Sequence, residues 1–251
     1  MVYSWAERNK REPFEQHIRS MLERWKNVYS KVYEAPLRRL IGSHADEAVR
    51  CSIILHDVGK LTKLYQKYVE SRYKGEKARL GGYRHEVVSG AIAALLLRDV
   101  EWGDYVVAAV TLSHEPILMG QVGEAGERRF TLTQAYRSLR AACEGGEELK
   151  LECEGVQVVN KLLEEEGFSW RLEEKYRYEE CLRGLKGAVI RITTLGDVAV
   201  KRVKVAALVH VLTVIDSLSA SESRGDGDEG GTFVSRGAKK AEVAELWRPG
   251  L

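Results

Sequence analysis

Apolar side chains recur at helical spacing along most of this chain, and this periodicity limits the fold to a mainly α architecture. Pro13 is followed by Phe14, Ile18, Met21 and Leu22, the pattern of a helix that buries one face, and proline suits a first helical turn. The same reasoning predicts helices over residues 45–59, 61–73, 85–97, 104–115, 131–143 and 156–166, and one from about 197 onward. Residues 149–153 suggest a short strand. We therefore expect a mainly α helical bundle that allows a small β-hairpin insertion.

Length and composition indicate one large domain. Of the 251 residues, 44% are apolar and 30% are charged, an ordinary globular balance. A glycine-rich run over 223–231 interrupts the helical pattern, so we expect one domain over residues 1–222 and a flexible break with a tail over 223–251. The net charge of +2 does not mark the whole chain as a nucleic-acid binder. Any such role requires a local basic surface.

The cysteines and the amino terminus predict a cytoplasmic protein. The amino-terminal residues are too polar for a secretion signal, and no apolar run is long enough to cross a membrane. The sequence also lacks a G-x-x-x-x-G-K-[ST] phosphate loop, which excludes an ATPase motor of that kind. The cysteines form no C-x-x-C pair and are expected to be reduced thiols: Cys51, Cys143, Cys153 and Cys181.

The strongest chemical signal is the pair His56 and Asp57 at the end of a very apolar predicted helix. A carboxylate beside an imidazole is costly in such surroundings unless something compensates its charge. A metal cation would do so, because it takes a deprotonated carboxylate and a neutral imidazole as ligands. The alternative for the pair alone is a solvated helix end.

Four further residues of ligand type stand within predicted buried helices or at their edges. His85 opens one helix, His114 ends the next, and His17 borders the buried stripe of the first. Asp216 lies within the last long helix. One shared metal centre explains these residues together. Its imidazole-rich ligand set favours Mn²⁺, Fe²⁺, Co²⁺ or Ni²⁺ over Mg²⁺. His44 and His210 fit this pattern poorly and are interpreted as structural.

The order of these residues resembles the H…HD…D signature of the HD phosphohydrolase superfamily. The segment His-Asp-Val-Gly-Lys60, followed by Arg-His85-Glu-Val-Val-Ser-Gly90 and Ser-His114, is similar to the HD nuclease of type I CRISPR interference. The resemblance spans residues 14–221. It implies an HD-domain helical bundle and a metal-dependent nuclease that hydrolyses phosphodiester bonds of single-stranded DNA, and of RNA as the broader expectation.

The resemblance also implies a ligand set for two divalent ions. One ion would be held by His17, His56, Asp57 and Asp216. Asp57 would bridge to a second ion held with His85 and His114. The resembled family carries a further histidine directly after His114, where this sequence has Glu115, a carboxylate that can also ligate a metal.

A basic, tyrosine-containing segment separates the HD pair from His85. Residues 60–84 carry eight lysines and arginines against two glutamates. Bases interleaved with aromatic rings suit a channel for single-stranded nucleic acid, and a solvated helix with half-buried tyrosines is the alternative. We assign nucleic-acid binding to Lys63, Lys67 and Arg84. Lys60 is a candidate catalytic residue beside Asp57, with either phosphate contact or neutralisation of a helix end as its role.

The resemblance also bears on partners. In the resembled family the nuclease often precedes a helicase in one chain. Here we expect it to stand alone, so a separate helicase subunit and an RNA-guided surveillance complex are the partners that the resemblance implies. Guide pairing would then supply the sequence specificity. Two alternatives stay open at this point. The first is an HD phosphohydrolase of nucleotides or small phosphate esters, and the second is a non-catalytic HD scaffold or binding subunit.

Overall fold

A computed structural model describes residues 1–114 and 132–224 and confirms the mainly α fold. A π-helical turn, Trp25–Tyr29, joins the first two helices, and a 3-10 turn, Val58–Leu61, follows the third. The helices are α1 Phe14–Arg24, α2 Ser30–Ile41, α3 Ala45–Leu55, α4 Lys63–Tyr73, α5 His85–Leu96, α6 Gly103–Leu112, α7 Leu132–Ala142, α8 Cys153–Glu165, α9 Tyr178–Thr194 and α10 Val198–Arg224.

Two small antiparallel sheets accompany the helices. An amino-terminal hairpin pairs β1, Tyr3–Glu7, with β2, Lys10–Pro13. This hairpin was not predicted. The second sheet pairs β3, Glu148–Lys150, with β4, Lys175–Arg177. β3 overlaps the predicted short strand, whereas β4 was missed because a three-residue strand carries almost no periodic signal.

The hairpin is fastened to α4 by backbone and side-chain hydrogen bonds. Asn9 N donates to Tyr73 O at 3.1 Å, at the end of α4. Near the start of α4, the Tyr65 hydroxyl donates to Ser4 O at 2.9 Å. These hydrogen bonds hold the amino-terminal strands in place against the helices.

Helix α5 lies at the centre of the core. Its residues are apolar on nearly every face, which is typical of a helix surrounded by other elements. It packs most closely on α6, where a Cβ atom at Gly90 would lie 1.9 Å from Thr111 Oγ1. Only glycine permits this approach of the two helices. The close packing fixes the start of α5 and the end of α6 relative to each other.

Two predictions fall partly or wholly beyond the described residues. Glu115 lies outside them, and so does the tail from residue 225 onward, so the division at residue 222 stays a prediction.

Helix α9 was missed by the sequence reasoning, although its buried positions recur at helical spacing. Within residues 1–114 and 132–224, no helix has the length and apolar character needed to cross a bilayer.

Candidate metal centre

Five separate parts of the chain bring the predicted ligands to one place. His17 projects from α1, and His56 and Asp57 follow α3 directly. His85 is the first residue of α5, His114 follows α6, and Asp216 lies within α10. The first four elements contribute residues at or near helix ends. The sequence predicted this convergence, while metal binding itself stays a prediction.

One group of side chains surrounds the Oδ2 side of Asp57. His17 Nε2 lies 3.7 Å and His56 Nε2 lies 3.4 Å from Asp57 Oδ2. Asp216 Oδ1 closes the group, at 3.1 Å from His17 Nε2 and 4.0 Å from His56 Nε2. Two imidazoles and two carboxylates therefore point into a common space.

A second group shares Asp57 through its other carboxylate oxygen. His85 Nε2 lies 3.2 Å from Asp57 Oδ1, and the rings of His85 and His114 are 5.0 Å apart between centroids. Ligand atoms of Asp57, His85 and His114 all lie within 4.8 Å of one another, as do those of His17, His56 and Asp57. A carboxylate shared by two such triplets is suited to bridging two cations.

The buried polar atoms at this place fit a metal better than they fit each other. Nε2 of His17, His56 and His85 and both carboxylate oxygens of Asp57 are buried, and none makes a hydrogen bond of acceptable geometry within the described residues. Buried polar groups without partners are costly and rare in native proteins. Imidazole nitrogens and carboxylate oxygens are ligands of divalent transition metals. The donor set therefore matches the cation that the sequence implies.

The opposite ring nitrogens of His17 and His56 are held by hydrogen bonds to groups outside the cluster, and that of His85 lies near a carboxylate. His17 Nδ1 hydrogen-bonds Glu12 Oε1 at 3.1 Å, and His56 Nδ1 donates to Ile53 O at 2.8 Å. His85 Nδ1 lies 3.5 Å from Glu86 Oε2. Such partners orient metal-binding histidines so that Nε2 faces the ion.

Glu12 and Glu86 were missed by the sequence reasoning. Both are buried, and a signal existed only for Glu86, which directly follows His85. Glu12 precedes His17 by five residues, and its position depends on the unpredicted hairpin.

The pKa shifts leave most ligands in the form that a metal requires. Burial lowers the pKa values of His56 and His85, which favours neutral imidazoles. Burial would raise the pKa values of Asp57 and Asp216, but His56, Lys60 and His85 outweigh it at Asp57 and His17 outweighs it at Asp216, so both pKa values are lowered. Burial also opposes the charge of His17, yet the carboxylates of Asp216 and Glu12 raise its pKa to about 9. His17 therefore carries a proton at neutral pH that a metal must displace.

Lys60 lies within the centre and not at its edge. Its side chain is buried, and Nζ lies 2.7 Å from Asp57 Oδ2. Burial disfavours its charge, but the Asp57 carboxylate overcomes this and raises the pKa of Lys60. The ammonium group is therefore a fixed counter-ion of Asp57.

The predicted nucleic-acid residues have a mixed outcome. Lys63 is exposed. Lys67 is exposed but pairs with Glu144, with 2.6 Å between Nζ and Oε1. Arg84 Nε donates to Glu86 Oε1 at 2.6 Å and is partly buried. Of these three bases, Lys63 is the one whose charge faces solvent and forms no ion pair within the described residues.

The prediction that the interleaved tyrosines line a channel for nucleic acid is wrong for two of them. Tyr65 and Tyr83 are 7% and 6% exposed, so their rings cannot stack on nucleic-acid bases. The Tyr83 hydroxyl donates to Gly59 O at 2.6 Å, so this ring supports the HD segment instead. His44 is exposed and contacts Glu47, and His210 contacts Tyr33, so both lie apart from the centre as expected.

Curated proteins of one kind resemble the chain over most of its length. It is 29% identical over 230 residues to the CRISPR-associated endonuclease Cas3-HD of Pyrococcus furiosus, covering 84% of this chain and 89% of that protein. It is 31% identical over 246 residues to the Cas3-HD endonuclease of Thermoproteus tenax, covering 90% of each. No protein-family model matches the chain.

A solved structure supports the fold. The CRISPR-associated Cas3 HD domain protein of Methanocaldococcus jannaschii superimposes with a TM-score of 0.59 at 20% identity. The match covers 84% of this chain and all of the other chain. At this identity the likeness establishes the HD fold alone.

Proposed function

Because the chain belongs to the Cas3-HD family of CRISPR-associated endonucleases, we propose that it hydrolyses phosphodiester bonds of single-stranded DNA with two divalent ions. RNA is the secondary substrate in this proposal. The observation that carries it is Asp57, whose two carboxylate oxygens face two different groups of imidazoles. A single-ion site would not need a carboxylate shared in this way.

The chain's own residues would hold the two ions. His17, His56, Asp57 and Asp216 would bind the first, and Asp57, His85 and His114 the second, with Glu115 as a further candidate ligand. Two divalent ions in such a site supply an activated water and charge neutralisation at the phosphate. Imidazole-rich ligation favours Mn²⁺, Ni²⁺, Co²⁺ or Fe²⁺ over Mg²⁺.

The surrounding residues would keep these ligands in place. Glu12 and the Ile53 carbonyl hold the rings of His17 and His56 with Nε2 inward. The Lys60 ammonium holds the Asp57 carboxylate from the side, which keeps it ionised. We propose that Lys60 also meets the scissile phosphate, because a buried lysine beside the bridging carboxylate is a fixed positive charge at the reacting centre.

The partners follow from the same family assignment. We propose that a separate helicase and an RNA-guided surveillance complex present the single strand to this nuclease. Guide pairing then selects the target, and the nuclease needs no base readout of its own. We propose that this work takes place in the cytoplasm.

Replacing the shared carboxylate tests the proposal. Asp57→Asn keeps the size of the side chain but removes the charge, and Asp99→Asn on the exposed surface is the matched control. We expect Asp57→Asn to lose both ions and at least about 100-fold of Mn²⁺-dependent cleavage of a labelled single strand. Metal analysis and circular dichroism are measured on the same preparations.

The outcomes separate the three functions. Wild-type cleavage by folded Asp57→Asn protein contradicts the role of Asp57. Turnover of mononucleotide esters by the wild-type protein without cleavage of oligonucleotides favours a small-molecule phosphohydrolase. Oligonucleotide binding that no chelator affects, with no cleavage at all, favours a non-catalytic subunit.

A further inference from the structure

We propose that a groove over the amino-terminal hairpin, called here the hairpin groove, binds the single-stranded nucleic acid beside the metal centre. This proposal rests on the proposed function and names the surface that guides its substrate. The groove has a volume of about 500 Å³ and is lined by Trp5, Asn9, Lys10 and Arg11 of the hairpin, Tyr73 of α4, and the end of α10 at Glu222 and Ser223.

The hairpin groove adjoins the first metal group on two sides. In the β1–β2 ladder, Trp5 pairs with Glu12, the residue that hydrogen-bonds His17 at 3.1 Å. On α10, Glu222 follows Asp216 by six residues, which is about 9 Å along the helix axis and about 120° around it. The groove therefore borders the residues that position the first metal group, and we infer that a strand bound there continues to the metal ligands.

The groove contains a cation that is held in position before any ligand binds. The Arg11 guanidinium carbon lies 4.2 Å from the centre of the Tyr3 ring and 4.4 Å from that of Tyr73. Glu70 lies 3.6 Å away and restrains it further. Arginine held between aromatic rings loses little freedom on binding a phosphate, and its planar fork suits phosphate oxygens.

The groove is lined by two bases, Lys10 and Arg11, and by one acid, Glu222. Lys10 is exposed and forms no ion pair within the described residues, and Arg8 in the turn of the same hairpin is also exposed. The groove's acid, Glu222, is already paired with Arg24. Trp5 is partly buried and contributes an aromatic side chain to the lining of the groove. Lysine, arginine and a large aromatic ring together form the kind of surface that binds single strands without sequence preference.

The hairpin groove replaces the surface that the sequence predicted. On α4, Lys67 is paired with Glu144, and Tyr65 is buried under the hairpin. The aromatic and basic groups of that segment therefore do not form one continuous exposed face. The combination of basic and aromatic side chains that suits single-strand binding lies instead where the hairpin meets the end of α4.

Oligonucleotide affinity tests the groove separately from catalysis. The probe is a fluorescently labelled oligothymidylate of about 15 nucleotides, the range that single-strand sites span. Binding is measured by anisotropy over a series of salt concentrations, in chelator so that no strand is cut. The variant Lys10→Gln/Arg11→Gln removes two charges from the groove. The matched control, Arg137→Gln/Lys186→Gln, removes two charges from a second basic, tyrosine-lined groove between α7 and α9.

We expect the hairpin variant to weaken binding by about 10-fold and to reduce the salt slope by about 1.4, the value for two phosphate contacts on a single strand. The control should change affinity by less than about twofold. Equal changes in both variants, or no change in the hairpin variant, overturn the proposal. If the hairpin variant misfolds by circular dichroism, Lys10→Gln alone repeats the test with an expected slope change of about 0.7. A wild-type protein that binds through the groove but cuts no strand would refute the proposed function and leave the groove intact.

Discussion

Gly59, in the segment between Asp57 and Lys60, should tolerate no side chain. A Cβ atom at this residue would lie 2.1 Å from the His85 carbonyl oxygen and 2.8 Å from its carbonyl carbon. Carbon and oxygen atoms without a covalent bond rest at about 3.3 Å or more. In Gly59→Ala the two backbone segments must therefore separate by about 1 Å.

The separation cannot be absorbed on the Gly59 side alone. Gly59 N donates to Ser89 Oγ at 2.8 Å, and its carbonyl accepts from Tyr83 at 2.6 Å. His85 must move as well, and with it the Nε2 atom that lies 3.2 Å from Asp57 Oδ1. The substitution therefore disturbs the second metal group directly.

We expect Gly59→Ala to lower the free energy of unfolding by about 1–3 kcal/mol, as for other overpacked sites. Cleavage should fall by about 100-fold, the cost of a misplacement of this size. Urea unfolding and Mn²⁺-dependent cleavage of a labelled single strand measure the two effects.

Gly187→Ala is the matched control, because its Cβ would first meet the flexible Arg191 guanidinium at 3.1 Å. Alanine within that helix should raise stability by up to about 1 kcal/mol. If Gly59→Ala unfolds and cleaves like Gly187→Ala, the close approach does not hold His85 in place.

Three further predictions concern the ligands. Glu12→Gln keeps the hydrogen bond to His17 but removes the charge, so the affinity for Mn²⁺ should fall by about 10-fold; an unchanged affinity in calorimetric titrations would show that Glu12 only supports the hairpin. Because the pKa of His17 is raised from 6.5 to about 9, its stabilising contribution to the metal-free protein is complete below pH 6.5 and is lost as the pH rises through 9. The free energy of unfolding of the metal-free protein should thus fall over this interval, and a His17→Gln variant with the same slope would contradict the assignment. Removing the metal with a chelator should lower the melting temperature and abolish cleavage, and Mn²⁺ should restore both; a chelated protein that melts like the loaded one would argue against the ligand set.

The candidate ligands could be predicted from the sequence because each is a polar residue within or next to an apolar helix. His56, His85 and Asp216 are polar residues in or beside strongly hydrophobic runs, and one shared metal centre would account for all of them. The helix spans follow from the same contrast between apolar and polar positions. The pattern could not predict the residues that hold the ligands in position. Glu12 belongs to the amino-terminal hairpin and is buried where that hairpin packs against the helices, and such short strands are weakly encoded.

The surface residues were less predictable for a different reason. Whether a tyrosine offers its ring to a ligand or to the core depends on what packs above it. Tyr65 is covered by the hairpin, through its hydrogen bond to Ser4 O at 2.9 Å. Lys60 shows the same limit, since its burial against Asp57 arises from the 3-10 turn that replaces the expected continuation of α3. Local spacing determines helices, but long-range contacts decide which groups face solvent.

The electrostatics of the centre argue against a purely structural role. Lys60 and the protonated His17 supply two positive charges, whereas Asp57, Asp216 and Glu12 supply three negative charges. Three imidazole Nε2 atoms also lack a hydrogen bond of acceptable geometry within the described residues. Each unsatisfied buried group costs about 1–3 kcal/mol, and apolar replacements of similar volume would relieve that cost. A scaffold with no need for cations would be more stable without this arrangement. Divalent ions at the two carboxylate oxygens of Asp57 would satisfy all of these atoms at once. The cost of leaving them unsatisfied in the metal-free centre is therefore an argument that the site exists to bind such ions.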